Sequence, residues 1–221
     1  MTTSFRTTIA GIALGLAALV AQAPAAHADL MFAQVQGTGA GTANLSGQLN
    51  VAVSNVNTGG TDRVQFRFTN NVGIASSITD IYFDDKNLPS IALPMTIQAS
   101  AGVAFSKDAT PANLPGGNAV SFTADFSADS NSPIIANGIN NKDEWLNIIF
   151  NYAAGASLAT VQSQLQSGEL VIGLHVQAVA PNGSSVSYYS TNVPVPEPAS
   201  LALLGAGLLG LGALRGRRRD A

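Results

Sequence analysis

Between Asp29 and Val195 the chain holds one histidine, His175. A hydrolase built on it would need a hydroxyl nucleophile within hydrogen-bond reach, or a pair of carboxylates of unlike pKa in a protected site. No Gly-x-Ser-x-Gly elbow and no His-Glu-x-x-His pair accompanies His175. Its neighbours Gly173 and Gln177 share its face of an expected strand, which suits a solvent-facing or edge position. Oxygen ligands are a second possibility. Asp84 and Asp85 follow Asp80, and Asp125, Asp129 and Asn131 form another cluster. Calcium takes about six to eight oxygens, so carboxylates at a strand end could hold it. The spacing is not that of an EF-hand, and turn capping by Asp and Asn uses the same residues. A third chemistry is sugar stacking on Tyr82, Trp145, Tyr152, Tyr188 and Tyr189, against which stands the ordinary role of aromatics in a β-sandwich core and edge. The expectation is therefore a protein that is not an enzyme, with no cofactor, no catalytic residue and no assigned metal ligand. A carbohydrate- or calcium-binding module is the alternative.

The elements that must position these side chains are strands. Leu49, Val51 and Val53 alternate with Asn50, Ala52 and Ser54; Val64, Phe66 and Phe68 alternate with Gln65 and Arg67; Ile172, Leu174 and Val176 alternate with Gly173, His175 and Gln177. A period of two with one apolar face is the signature of a half-buried strand. Thr79 to Phe83 and Trp145 to Phe150 read as further strands. Asn57-Thr58-Gly59-Gly60, Pro115-Gly116-Gly117-Asn118 and Pro181-Asn182-Gly183-Ser184 supply turns. One segment departs from this period: Leu158, Val161 and Leu165 recur at helical spacing, with Ser157 to cap the first turn and Gly168 to close the last. Eight to ten strands with one short helix predict a mainly β fold, an antiparallel β-sandwich or jelly-roll-like body. Gln36 to Asn44 and Lys107 to Asn118 read as surface loops or edges.

The chain has 221 residues and no cysteine, which excludes disulfides, thiol nucleophiles and Cys-zinc sites together. Between Asp29 and Val195, eleven acidic side chains face five basic ones (Arg63, Arg67, Lys86, Lys107, Lys142), a net charge of −6. A body so charged has no means of capturing nucleic acid, which needs clustered Lys and Arg.

Two terminal segments frame this body. Arg6, the apolar run Ile9 to Val20, and Ala26-His27-Ala28 ahead of Asp29 read as a signal peptide over residues 1–28, with Ala26 and Ala28 as the small cleavage-site residues. At the other end, residues 29–189 give way to a linker over 190–198, an uncharged run over 199–214 and a basic tail over 215–221. Sixteen helical residues at 1.5 Å each span about 24 Å, somewhat short of a hydrocarbon core of about 30 Å. Snorkelling by Arg215, Arg217, Arg218 and Arg219 offsets the deficit, and these cations stay on the cytoplasmic side. Ala202, Ala206 and Gly210 share a face that either packs on another membrane helix or simply keeps a short anchor insertable. Pro196 and Pro198 hold the segment before the run extended and solvated.

Pro196-Glu197-Pro198, then Ala199-Ser200, then a Leu/Gly/Ala run and a terminal Arg cluster resembles the PEP-CTERM sorting signal of Gram-negative bacteria. The resemblance covers about the last 27 residues. It implies recognition and processing by exosortase, an integral-membrane enzyme, with Pro196, Glu197 and Pro198 as the sorting motif and Arg215, Arg217, Arg218 and Arg219 as the stop signal. It further implies export, a transient hold in the inner membrane, and release to the cell surface or beyond it. ITDIYFDD, NLPGGN, FSADSNSP and IGLHVQ are similar to blocks in a group of proteins that carry the same tag and have no assigned activity. By that analogy the protein works at the surface or in the exopolysaccharide matrix.

Overall fold

The structure is a computed structural model that describes residues 30–36, 38–39, 43–86 and 89–191. The expected signal peptide, the Pro196-Glu197-Pro198 motif, the membrane run and the arginine tail lie outside the described residues.

Ten strands and two helices follow one another as β1 Met31–Gln34, β2 Leu49–Thr58, β3 Thr61–Asn70, β4 Ser77–Asp85, β5 Ile91–Ala99, β6 Phe105–Lys107, β7 Phe126–Ser130, α1 Ile134–Asn137, β8 Leu146–Tyr152, α2 Leu158–Ser167, β9 Leu170–Val179 and β10 Ser184–Thr191. Every pairing is antiparallel. They form a six-stranded sheet, ordered β1-β10-β9-β4-β7-β6, and a four-stranded sheet, ordered β2-β3-β8-β5. The fold is thus mainly antiparallel β in two sheets, as the alternation requires.

Local chemistry accounts for the elements. Thr58 pairs with Thr61, so β2 and β3 are joined by Gly59 and Gly60 alone, at φ of 62° and 83°. Two successive positive φ values make the type I′ hairpin, whose twist matches that of the strands. The Ser157 hydroxyl accepts from the Thr160 N–H while the Thr160 hydroxyl accepts from the Ser157 N–H, and Gly168 ends α2 at φ 79°. That reciprocal cap starts the helix and the left-handed glycine stops it. Val161 and Leu165 then bury one face of α2 in the core, with Leu158 packed against it.

Between the sheets, Val64, Phe66 and Phe68 of β3 meet Ile81 and Phe83 of β4 and Leu146, Ile148 and Phe150 of β8, all fully buried. Phe83 lies edge-on to Phe66 and Phe150, with centroids 5.0 and 5.1 Å away. Such pairs add about 0.5–1.5 kcal/mol each beyond their buried area.

The segment after β6 runs over the surface, as expected for Lys107 to Asn118, but is anchored by buried side chains. Ala109 and Leu114, with Phe122 just beyond, are buried in a second cluster with Val35, Tyr82 and Val171. This segment is a flap over the outer face of the six-stranded sheet. With α1 and Ile139 covering the Ser77 end, the flap over Tyr82 and Asp84 leaves all nine residues of β4 buried, against one face in an ordinary sandwich strand. The last strand continues to Thr191 with Ser190 buried, two residues into the stretch read as linker.

Candidate functional site

On the outer face of the six-stranded sheet the register sets polar groups in a row. Ser187 of β10 faces His175 of β9, His175 faces Asp80 of β4, and Asp80 faces Asp129 of β7. The His175 Nδ1 lies 2.9 Å from the Asp80 Oδ2, which also accepts from the Thr79 hydroxyl at 2.8 Å. Burial, and next the Asp80 charge beside it, push the Asp129 carboxyl above the usual aspartate range. Burial likewise pushes the Tyr82 phenol up, with Asp80 contributing, and that phenol donates to the Pro111 carbonyl at 3.0 Å.

This corrects the expectation for His175, which is neither solvent-facing nor on an edge. Its strand has neighbours on both sides and its side chain is 12 % exposed. Gly173 and Gln177 do share its face, but Leu114 and Phe122 of the flap lie against Gly173, and Val35 and Thr38 bond to the Ser187 backbone alongside, the Val35 N–H donating to its carbonyl and its N–H to the Thr38 hydroxyl. The Ser187 hydroxyl is buried and has no hydrogen-bond partner, so histidine and serine are neighbours without a nucleophile-base bond.

The acidic clusters serve the backbone. Asp84 Oδ2 accepts from the Thr123 N–H, Asp85 Oδ2 from the Ser90 and Ile91 N–H groups, and Asp125 Oδ2 from the Asp85 N–H. Each carboxylate pins a loop to the strand end. Burial raises the Asp84 and Asp85 pKa values in spite of those N–H donors. Asp80 and Asp84 lie on the outer face and Asp85 on the other, because side chains alternate along β4. In the second cluster, Asp129 sits beside Asp80 and the Asn131 Oδ1 accepts from the Ser106 hydroxyl. No three His, Asp or Glu side chains converge on a common point among the described residues.

The five aromatics are not brought together, which corrects the idea of one stacking platform. Tyr82 and Tyr188 are fully buried in different clusters, and the Tyr188 hydroxyl accepts from the Leu45 N–H at 2.8 Å. Tyr189 packs against the outer-face cluster, and the Tyr152 hydroxyl donates to Asn55 Oδ1. Trp145, one residue ahead of β8, is half-buried with the Arg67 guanidinium 4.4 Å from its ring centroid.

The sequence reading missed the surface around that Trp145 and Arg67 pair. On the outer face of the four-stranded sheet, Arg67 faces Asn147, Gln65 faces Ile149 and Arg63 faces Asn151. Neither arginine makes a salt bridge among the described residues. The Arg63 Nε and the Asn147 and Asn151 Oδ1 atoms are buried without a partner. The signal that could have found it was present: Arg63, Gln65 and Arg67 at alternate positions of one strand share its solvent face by the same period that buries Val64 and Phe66.

Residues 194–219 match the family of the PEP-CTERM protein-sorting motif. No curated protein and no solved structure matches the chain significantly. The C-terminus is therefore a sorting signal of that class, of the kind that exosortase recognises at the membrane, attached to a body whose fold carries no functional assignment.

Proposed function

We propose that the protein is an exported, non-enzymatic component of the cell surface or extracellular matrix, sorted through its C-terminal signal and associated with exopolysaccharide. One observation carries this reading: the PEP-CTERM match over residues 194–219. Pro196, Glu197 and Pro198 fall inside it and are the recognition element; Arg215, Arg217, Arg218 and Arg219 hold the apolar run at the cytoplasmic face until exosortase acts. Ala26 and Ala28 mark the other processing site, which leaves a body starting at Asp29.

Two features support a non-catalytic body. His175 is bonded to Asp80, and no hydroxyl among the described residues hydrogen-bonds to its ring. The carboxylates that could have held calcium are occupied with loop N–H groups, which favours the carbohydrate half of the alternative over the calcium half. Changing Pro196-Glu197-Pro198 to three alanines tests the delivery step. The variant accumulates unprocessed in the inner membrane; normal processing and release of the variant overturn the reading.

A further inference from the structure

Arg63 and Arg67 are two of the five cations in a body of net charge −6. They stand on the same face of β3, four residues and about 13 Å apart. Across the strands beside them the face presents Ala52, Ser54 and Val56 on β2, Asn147, Ile149 and Asn151 on β8, and Gln98 and Thr96 on β5. None of these is a carboxylate. The positive charge is thus set in a patch from which negative charge has been kept out, although acidic side chains outnumber basic ones elsewhere.

These arginines have unused hydrogen-bonding capacity. A guanidinium carries five N–H donors; neither arginine is in a salt bridge with a described residue, and the Arg63 Nε has no hydrogen-bond partner. The Arg67 guanidinium carbon lies over the Trp145 ring, 4.4 Å from its centroid, a cation–π contact that restrains the fork. Asn147 is only 5 % exposed, sits opposite Arg67 and has a partnerless Oδ1; Asn151, opposite Arg63, spends its Nδ2 on the Leu93 carbonyl and has a partnerless Oδ1 as well. Among the described residues, the Arg63 Nε and the Asn147 and Asn151 Oδ1 atoms put three buried, partnerless polar atoms on this one face. Leaving such atoms unmet is a cost that a structural core would avoid.

We infer that the outer face of the four-stranded sheet binds a carboxylated polysaccharide, with Arg63 and Arg67 each taking a carboxylate and Gln65 between them meeting ring hydroxyls, over the Asn147 and Asn151 amides. The spacing of the two arginines makes the site longer than one sugar ring, so it reads a polymer. Hydroxyls both donate and accept, as side-chain amides do, which matches this surface. A protein partner would need aromatic or aliphatic anchors in a central pocket; here Ile149 is 4 % exposed and the Trp145 ring face is taken by Arg67. Nucleic acid would need a longer run of clustered Lys and Arg than these two side chains supply. The inference rests on the exopolysaccharide reading above and supplies its chemistry.

The test uses the full chain in mild detergent, titrated calorimetrically with polygalacturonate, with dextran of matched length and with polyglutamate. Polygalacturonate binds and weakens as salt is raised, while dextran does not bind. Arg63→Gln and Arg67→Gln each weaken binding about ten- to a hundredfold, as expected for charge-assisted bidentate bonds, with melting temperature unchanged. Arg67→Lys restores charge without the fork and recovers only part of the affinity. Polygalacturonate binding untouched by the double Gln variant overturns the site, and so does polyglutamate binding as tightly as polygalacturonate. Retention of the chain by its own cell's exopolysaccharide, unaltered in the double variant, would overturn this inference while leaving the proposed function standing. No retention by any glycan would remove both.

Discussion

Gly173 is the residue on which the flap over the six-stranded sheet can be tested by sign alone. It lies in β9, a central strand, opposite Tyr82 on one side and Tyr189 on the other. Glycine in a strand interior is about 0.5–1 kcal/mol worse than alanine when nothing else intervenes, so on an open sheet face Gly173→Ala should stabilise. Here a Cβ would meet Leu114 Cδ2 and Phe122 Cζ, each at 3.0 Å. Both side chains are 2 % exposed and enclosed by the cluster they form, so neither can swing away. Overpacking of this kind costs about 1–3 kcal/mol. The balance is a loss of about 1 kcal/mol, or roughly 2–4 °C in Tm for a domain of this size. Leu114→Ala alone should cost about 2–5 kcal/mol. In the double variant the Phe122 ring can shift into the vacated space, so the added alanine becomes neutral or stabilising, a coupling of about 1 kcal/mol. Thermal and urea unfolding of the four proteins reads all of this. A rise in Tm for Gly173→Ala alone would mean that Leu114 and Phe122 do not sit on that face.

Other perturbations probe separate contacts. Tyr188→Phe strands the buried Leu45 N–H without its acceptor and should lower unfolding stability by about 1–3 kcal/mol; an unchanged urea midpoint refutes that bond. Burial holds the carboxyls of Asp84, Asp85 and Asp129 above the ordinary aspartate value of 3.8. The folded state therefore binds protons more readily than the unfolded one, so their contribution is fully favourable below about 3.8 and is lost as pH rises through the folded values. Tm should accordingly climb as pH is lowered from neutral towards the ordinary aspartate value, with a shallower slope in Asp85→Asn; a steady fall in Tm over that range contradicts the assignment. Added millimolar calcium should leave Tm unchanged, because the carboxylates already hold loop amides; a rise by linkage would reveal a cation site.

Those carboxylates show where the sequence was legible and where it was not. Val64, Phe66 and Phe68, the Gly59-Gly60 hairpin, and the Ser157 and Gly168 caps of α2 all follow from local rules of period, φ and capping, and each is found where expected. The flap is different. Leu114 and Phe122 are separated by turns, obey no period, and sit among Pro, Gly and Asn that suit a solvated loop equally well. Whether His175 lies on an edge depends on which strands flank β9, a long-range matter that β10 and β4 decide. The division of the aromatics was hidden for a related reason: Tyr82 and Tyr189 share one face of the six-stranded sheet, Tyr188 the other, and Trp145 stands beside the second sheet. The arginine face was hidden by the opposite habit, since solvent-side residues of a strand are read as the complement of a core. Only the assembled register shows that Arg63 and Arg67 face Asn151 and Asn147, with no salt bridge to a described residue.

The sorting claim meets its most direct test in the mass of the mature C-terminus, measured on protein recovered from the cell surface and medium. If residues 194–219 act as the sorting signal, the recovered chain ends at or near Pro196-Glu197-Pro198 and lacks the arginine cluster, whereas the triple-alanine variant keeps it. Recovery of surface protein that still carries Arg215 to Ala221 would contradict the claim.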